Sequence, residues 1–224
     1  MSLQIHSLSM GMVQAYLIES EAGLVLVDAG MPGQEQTVLR CMEALERDDL
    51  RLIFLTHAHF DHYGSASALR RLTGASIAIH RADAEAMARG ETRLGSVRGR
   101  GRLVRALLPL LASILQAEPT RADLLLDDGD DLGAFGLDAA VLHTPGHTPG
   151  SSCLLVEGRL AFVGDLLSAT GQPHVQRFFA HDWSLIPGSL ARLQAQRPEW
   201  TFTGHGRRAV SGEVLQRLGA TPGL

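Results

Sequence analysis

The chain has 224 residues, a formal net charge of −4 and 45% hydrophobic residues, which suits one sizeable globular core. All twenty basic residues are arginine, so a mechanism that needs a lysine is excluded, and the negative charge argues against a general nucleic-acid binder. The two cysteines, Cys41 and Cys153, cannot build a disulfide framework. We expect a cytoplasmic protein, because neither a long apolar span nor a leader pattern is present.

The first third of the chain is predicted to alternate strands and helices in the order β-β-α-β-α-β. Strands are predicted where β-branched and other apolar residues cluster, and helices where apolar side chains recur at helical spacing. These elements cover, in chain order, residues 14–20, 23–30, 34–49, 50–56, 61–72 and 75–80. The nearly all-apolar run 50–56 is typical of a strand that is buried on both faces.

A different composition marks residues 81–122, which we predict to be a helical insert. Six arginines and one acidic residue lie between Arg89 and Arg105, followed by an apolar run, 106–115, that Pro109 interrupts. The insert is interpreted as a cap over a site, a contact in a homodimer, or helices that simply cover the sheet. Its arginines form either a solvated helix face or a contact for an anionic substrate or partner.

The second half returns to the strand pattern, so we treat residues 1–224 as a single domain. Glu157-Gly158 is predicted to be the turn of a hairpin that ends at Asp165. Both halves share an outline in which strands are followed by helices and end in histidine or aspartate. The predicted elements cover residues 137–143, 151–165, 189–198, 199–206 and 213–219.

The stretch THAHFDH, residues 56–62, places three histidines and one aspartate where a buried strand ends. His57 and His59 are two residues apart, so in an extended chain they project to the same side and reach one ion. Asp61 and His62 begin the next helix and suit a second position. Imidazole and carboxylate ligands together favour zinc, with iron or manganese as alternatives.

Further ligands must come from elsewhere, because a catalytic metal usually has three protein ligands and an open position. The best candidates follow strands and lie beside glycine, which lets the backbone approach closely. His147 lies in HTPGHTPG, Asp165 in FVGDL and His205 in TGHG. These three residues complete two sets of ligands.

The ordered motifs His-x-His-x-Asp-His, GHTPG, GD and GHG, together with VDAG at 27–30, resemble those of the metallo-β-lactamase superfamily. The resemblance extends from about residue 13 to residue 206. It implies an α/β fold, a four-layer αβ/βα sandwich of two mixed β-sheets with outer helices. It also implies two divalent metal ions per chain, with zinc as the first choice.

The resemblance further implies a role for each matching residue. Asp165 bridges the two ions, Asp61 also holds or accepts the proton of the attacking water, and Asp28 supports the site without binding metal. The implied ligands are His57, His59 and His147 for the first ion, and Asp61, His62 and His205 for the second. A metal-bridging hydroxide would then cleave an ester, thioester or lactone bond of a small-molecule substrate.

Other activities of the family are weighed against the same residues. A persulfide dioxygenase would use one iron held by His57, His147 and Asp165, but residues 166–172 do not match the motif expected there. Several β-lactamases use a lysine, which this chain lacks, and lack the bridging aspartate. Nucleases of the family carry an added RNA-binding arm and a basic surface. We therefore expect neither a nucleic-acid nor a membrane partner.

The loop 166–185 is expected to overhang the metals and to carry specificity. Within it, His174, His181 and Arg177 are candidates for contact with substrate, and the aromatic residues Phe178, Phe179 and Trp183 are candidates for a pocket wall. Near the cluster, Phe60 is predicted to be buried beneath the metal loop and Tyr63 to face the pocket.

Overall fold

The computed structural model describes residues 3–99, 101–103, 106 and 116–219. Its strands are β1 (Gln4–Met10), β2 (Val13–Ser20), β3 (Gly23–Val27), β4 (Leu50–Leu55), β5 (Ser76–His80), β6 (Ser96–Val97), β7 (Leu124–Leu126), β8 (Ala139–His143), β9 (Ser152–Val156), β10 (Leu160–Phe162), β11 (Leu167–Ser168), β12 (His174–Val175), β13 (Phe179–Ala180), β14 (Trp200–Phe202) and β15 (Val210–Ser211). Its helices are α1 (Glu35–Ala44), α2 (Phe60–Tyr63), α3 (Ala66–Thr73), α4 (Arg81–Ala88), α5 (Ile186–Gln196) and α6 (Gly212–Arg217).

Two large mixed sheets form the body of the molecule. The first has the order β1-β2-β3-β4-β5-β7, antiparallel from β1 to β3 and parallel from β3 to β7. The second has the order β15-β14-β10-β9-β8, in which only β14 and β10 are parallel. There are also two small ribbons, β11-β12 and β13-β6.

The core is divided into three layers by the alternation of side chains along the strands. Between the sheets, Phe54 of β4 packs in one cluster with Leu154 and Phe162 of the second sheet. The opposite face of the first sheet, with Ile53, packs against the outer helices α1, α3 and α4. The opposite face of the second sheet packs against α5 and α6 through residues such as Leu190. The predicted four-layer α/β sandwich is therefore confirmed.

Most predicted elements exist, but the single helix expected over 61–72 is wrong. The structure has two short helices, α2 and α3, which meet at Gly64 and Ser65. The hydroxyl of Ser65 donates to the carbonyl of Met31 at 2.6 Å and accepts from the amide of Gln34 at 2.9 Å. Gly64 has no room for a Cβ, which would lie 2.4 Å from the Pro32 nitrogen. Close packing on the 31–34 loop thus divides the helix.

The predicted helical insert at 81–122 is partly tested. Its first part is helical as α4, but residues 96–97 form a strand, β6, that pairs with β13. Because this pairing joins two short segments that are far apart in the sequence, no periodic pattern predicts it. The described residues do not include Arg100, Arg105 or nearly all of the apolar run 106–115. The cap and homodimer hypotheses therefore stay untested predictions. Among the described helices, none is long and apolar enough to cross a membrane.

Candidate metal centre

Seven side chains converge at one edge of the two sheets, and all seven are the residues singled out from the sequence. They arrive from the ends of β4, β10 and β14 and from the loop after β8. Three overlapping sets have ligand atoms that lie within 4.8 Å of one another, a spacing that could hold a metal ion. The first set is His57, His59 and His147, the second is Asp61, His62 and His205, and the third, His57, His62 and Asp165, shares one histidine with each of the other two.

The first set is made of three buried imidazoles. Nδ1 of His59 lies 3.0 Å from Nε2 of His147, and the ring of His57 is 4.6–4.7 Å from the other two, centroid to centroid. The three residues are 1–4% exposed. Rings that face one another edge-on at this distance enclose a small space lined by nitrogen lone pairs.

Asp165 lies between the first set and the second. Its Oδ1 is 3.3 Å from Nε2 of His62, and its Oδ2 is 3.4 Å from Nε2 of His147 and 3.3 Å from Nε2 of His205. Asp61 completes the second set, with Oδ2 at 3.7 Å from Nε2 of His205. One carboxylate therefore approaches imidazoles of both sets.

Each imidazole is anchored at the nitrogen that points away from the centre. Nδ1 of His62 donates to Asp28 at 2.8 Å, and Nδ1 of His57 donates to the hydroxyl of Thr56 at 3.1 Å. The other three donate to backbone carbonyls: His59 Nε2 to Arg93 at 3.2 Å, His147 Nδ1 to Phe179 at 2.9 Å and His205 Nδ1 to Met12 at 3.1 Å. Such outer hydrogen bonds fix the tautomer, so that in the neutral ring the inward nitrogen is an acceptor, which is the form that binds metal.

Asp28 organises this outer layer from an unusual backbone conformation. Its φ of 60° is positive, a region that aspartate tolerates better than most residues. Its Oδ1 accepts from the amide of Thr56 at 2.8 Å while Oδ2 accepts from His62. The hydroxyl of Thr56 also donates to this carboxylate, at 2.9 Å from Oδ2, and so connects Asp28 to His57. The supporting role expected of Asp28 agrees with this geometry.

The electrostatics differ between the two sets. Burial, together with the neighbouring imidazoles, lowers the pKa of His57 well below its ordinary value and that of His147 to about 4. Asp165 raises the pKa of His205 to about 9. Burial acts to lower the pKa of His62, but Asp28 and Asp165 outweigh it and raise that pKa well above its ordinary value. Burial likewise opposes ionisation of Asp165, but His205 and His62 hold its pKa well below the ordinary value.

The centre leaves inward-facing polar atoms without hydrogen-bond partners. His57 Nε2, His62 Nε2 and Asp165 Oδ1 are fully buried and unpaired. Buried polar atoms without a hydrogen bond are costly, and native proteins rarely retain them without a ligand or an ion. Nitrogen and carboxylate acceptors that converge on small spaces match the ligand preferences of zinc and iron. The residues present therefore fit divalent metal ions.

Glycine at position 204 makes this close approach possible. A Cβ at Gly204 would lie 2.5 Å from Cε1 of His62 and 2.7 Å from Oδ1 of Asp165, distances that no real Cβ contact shows. Gly204, beside the predicted ligand His205, thus has the function expected from the sequence, which is to allow a close approach at the centre.

A comparison with known families was decisive. The sequence model of the family described as "Metallo-beta-lactamase superfamily" matches residues 8–205. The chain belongs to the metallo-beta-lactamase superfamily. The match covers the metal centre from Asp28 to His205 and agrees with the resemblance found in the motifs. The fold of this superfamily implies binding of divalent metal ions.

Individual members of the superfamily resemble the chain to different extents. Hydroxyacylglutathione hydrolase of Aeromonas hydrophila is 31% identical over 80% of this chain and 55% of its own length. Acyl-coenzyme A thioesterase MBLAC2 of Bos taurus is 34% identical over 52% of this chain and 41% of its own. The chain thus spans about half the length of these two relatives. The solved structure of TTHA1623 in a di-iron-bound form is 28% identical, with a TM-score of 0.72, and covers 96% of this chain and 97% of that one.

Sequence reasoning missed two residues that organise this metallo-beta-lactamase centre. Asp83 of α4 is buried and bonds the loops that carry His57 and His147. Gln176 donates to the backbone carbonyl of Asp165 at 3.2 Å and accepts from the amide of Phe178 at 3.0 Å. Neither residue lies in a recognised motif. Nothing in the sequence separates Asp83 from an acidic residue on the exposed face of a helix.

The surroundings of the centre also differ in detail from expectation. Tyr63 is fully buried in the core beneath the first sheet, whereas Phe60 is only partly buried, the reverse of the prediction. Within the overhanging loop, the ring of His174 bonds the carbonyl of Gln172, and the exposed His181 contacts the loop of His147 through its backbone amide. Contact of either ring with substrate stays a prediction.

Proposed function

We propose that the protein is a binuclear metal-dependent hydrolase that cleaves a thioester. The observation that carries the proposal is the position of Asp165, within 3.3–3.4 Å of His62, His147 and His205. One ion would be held by His57, His59 and His147, and the other by Asp61, His62 and His205, with Asp165 between them. The unpaired inward atoms of His57, His62 and Asp165 support this division.

Zinc is the proposed ion, and iron is the alternative that a relative supports. Both metals accept imidazole and carboxylate ligands, so the donor set does not separate them. The structurally similar protein TTHA1623 was solved in a di-iron-bound form. Two ions at such a centre supply Lewis acidity to the scissile carbonyl and acidify water, so that it attacks near neutral pH.

The chain's own residues would orient the reaction and move its proton. The anchored imidazoles keep the inward geometry fixed before substrate arrives, so little reorganisation is required during the reaction. Asp61 is the proposed proton acceptor. Its Oδ2 lies 3.7 Å from His205 Nε2, an ion-pair distance longer than a hydrogen bond. With one carboxylate oxygen on the second ion, the other oxygen would be left to orient a water. A carboxylate within reach of the attacking water satisfies the first requirement of a general base.

The thioester is proposed because two matched relatives carry that chemistry in their names. One is named as a hydroxyacylglutathione hydrolase and the other as an acyl-coenzyme A thioesterase. The carrier groups of such thioesters are anionic. Exposed arginines lie on the two loops whose backbone carbonyls accept hydrogen bonds from His59 and His147. The guanidinium of Arg98 lies 4.3 Å from the ring centroid of Trp183, and that of Arg177 lies 5.0 Å from that of Phe178.

These arginines lie close to the centre along the chain. Next to the β6-β13 ribbon, the amide of Arg98 donates to the carbonyl of Phe178. The following residue, Phe179, supplies the carbonyl that accepts from Nδ1 of His147. Within the described residues, neither Arg98 nor Arg177 forms an ion pair with a carboxylate. A guanidinium that is stacked on an aromatic ring and free of carboxylates suits recognition of a carboxylate or phosphate. A small-molecule substrate with an anionic carrier is therefore the proposed partner.

The function is tested by a hydrolysis panel with metal-loaded protein. The panel contains acyl-coenzyme A and acylglutathione thioesters, lactones, simple esters, a phosphodiester and a β-lactam. The proposal predicts the highest kcat/KM for a thioester, and strong loss of activity in Asp165→Asn and after removal of metal by a chelator. Thioesters no better than the phosphodiester or the β-lactam would contradict it. Oxygen uptake with a persulfide and one iron per chain would instead favour the dioxygenase.

A further inference from the structure

Asp83 is a buried carboxylate that the proposed reaction does not use. It is the third residue of α4 and is 2% exposed. Among the described residues it forms no ion pair with an arginine. A charge in such a position must be compensated by hydrogen-bond donors. The donors that compensate it come from two loops that are far apart in the sequence.

The carboxylate joins the loops that carry three of the proposed ligands. Its Oδ2 accepts from the amide of Ala58 at 3.0 Å and from the hydroxyl of Thr148 at 2.7 Å. Its Oδ1 accepts from the amide of Gly150 at 2.7 Å. Ala58 lies between His57 and His59 in the sequence, and Thr148 directly follows His147.

The approach of Asp83 to the second loop is close and depends on a glycine. A Cβ at Gly150 would lie 2.7 Å from both Cβ and Cγ of Asp83. The loop is also closed on itself: the hydroxyl of Ser151 accepts from the amide of Thr148 at 2.9 Å and lies 2.8 Å from its hydroxyl. Since the Thr148 hydroxyl donates to Asp83, it accepts from Ser151. Each donor and acceptor in this network therefore has a defined partner.

The distance between the two loops is what the carboxylate controls. Nδ1 of His59 and Nε2 of His147 face each other at 3.0 Å, and both carry lone pairs when the outer nitrogens donate to Arg93 and Phe179. Those outer bonds orient each ring, but they do not join the two loops. The carboxylate of Asp83 does so through direct bonds on both sides. A preformed separation lowers the cost of bringing the ligands together around an ion.

We propose that Asp83 is a positioning residue for the first metal ion, setting the separation between the loop of His57 and His59 and the loop of His147. This inference rests on the proposed metal-binding function, because it concerns the affinity of that site. Asp83 touches neither the ion nor the substrate in this scheme. It acts through the backbone of its neighbours.

The test compares metal affinities of Asp83→Asn and the wild type by competition with a chelator, using zinc. Asparagine has the same shape, but its NH2 group must face either Gly150 or the Ala58 and Thr148 donors. We expect the affinity of the first ion to fall by about 10- to 100-fold, which is the loss typical when a hydrogen-bond partner of the ligands is removed. The visible absorption of the first equivalent of cobalt(II) is expected to change, because the ligand geometry changes.

A second pair of variants keeps the test valid if Asp83→Asn does not fold. Thr148→Val removes one donor without changing side-chain shape and is expected to weaken the first ion. Thr148→Ser retains the hydroxyl and is expected to restore the affinity. Asp123→Asn is the structural control: Oδ2 of Asp123 accepts from the amide of Ile77 at 2.8 Å, away from the centre, and this exposed carboxylate also pairs with Arg70. It is expected to leave both metal affinities unchanged.

The outcomes separate this inference from the proposed function. Folded Asp83→Asn and Thr148→Val proteins that bind the first ion with wild-type affinity and the wild-type cobalt spectrum would overturn the positioning role alone. An equal loss of affinity for both ions in Asp83→Asn and Asp123→Asn would also overturn it, since a general loss of stability would then explain the effect of Asp83→Asn. A wild-type chain that binds a single ion would contradict the binuclear function. The affinities of wild type and Asp83→Asn for that one ion would still decide the positioning role.

Discussion

Nδ1 of His62 donates a hydrogen bond to Oδ2 of Asp28 at 2.8 Å, with both side chains almost completely buried. This contact points Nε2 of the same ring toward Asp165, at 3.3 Å from Oδ1. Asp28, which follows β3, thus orients His62, a proposed ligand in α2, the helix that follows β4. The proposed division of the centre into two sites gives this contact a measurable consequence.

Asp28→Asn is expected to weaken the second ion selectively. Asparagine also tolerates the positive φ at this position, so the backbone is retained while the negative charge next to His62 is lost. We expect a loss of about 10- to 100-fold in the affinity of the second ion, measured by chelator competition. Asp48→Asn, at an exposed position, is the matched control. Equal affinities in the variant and the wild type would contradict the role given to Asp28.

Metal binding at the second set is expected to release protons near pH 7. His205, with its pKa raised to about 9, and His62, with a raised pKa, are protonated in the metal-free protein at that pH. His57 and His147 have lowered pKa values and are already neutral. Because metal competes with protons, the affinity of the second ion rises with pH between 7 and 9, by about tenfold per unit for each proton released.

Calorimetry in buffers of different ionisation enthalpy measures this release directly. The apparent binding enthalpy of the second ion is expected to depend strongly on the buffer at pH 7 and less strongly above pH 9, where His205, with its pKa of about 9, has lost its proton. A second binding step that is independent of the buffer at pH 7 would show that His62 and His205 are neutral before metal arrives. That result would remove the electrostatic difference between the two sets.

Gly204→Ala is expected to damage the centre, because the added methyl group would overlap His62 and Asp165. Overpacking of this kind costs about 1–3 kcal/mol of unfolding free energy, and displacement of the two side chains should also lower metal content. Gly188→Ala is the matched control: Gly188 lies in α5 with no heavy atom within 4 Å of its added Cβ. It should stabilise the helix by up to about 1 kcal/mol. Thermal unfolding and metal analysis of both variants decide the matter.

Arg98→Ala tests the anionic carrier of the proposed substrate. Removal of the guanidinium from the face of Trp183 is expected to raise KM for a thioester with a charged carrier, with little change in kcat or metal content. The effect should shrink at high salt, as expected for an exposed charge. Arg40→Ala, an exposed position on α1, is the control. An unchanged KM in Arg98→Ala would remove this arginine from substrate recognition.

The ligands could be predicted from the sequence because their chemistry is local. THAHFDH carries four of the seven residues in six positions, and the others lie beside glycines after predicted strands. The strands themselves have strong patterns, and the Glu157-Gly158 turn has the two positive φ values, 50° and 61°, of the predicted hairpin. Local chemistry and periodicity therefore predicted the candidate ligands and most of the elements, whereas the fold class was implied by the resemblance of the motifs to those of a known family.

What the sequence did not predict depends on contacts between distant segments. The division of the helix at Gly64 results from packing on Pro32, and the β6-β13 ribbon pairs loops about eighty residues apart. Asp83 carries no pattern that distinguishes it from an exposed acidic residue on a helix. Its role is visible only when the loops of Ala58 and Thr148 are brought to it by the sheets. Tertiary packing, and no local preference, decided each of these features.

The most direct test of the account is the number of metal ions bound per folded chain, measured by elemental analysis of wild-type protein and Asp165→Asn after loading and removal of free metal. The account predicts two ions per chain for the wild type and fewer than two for the variant, because Asp165 lies between the two sets of imidazoles. One ion in the wild type, or two ions held with unchanged affinity by Asp165→Asn, would contradict it.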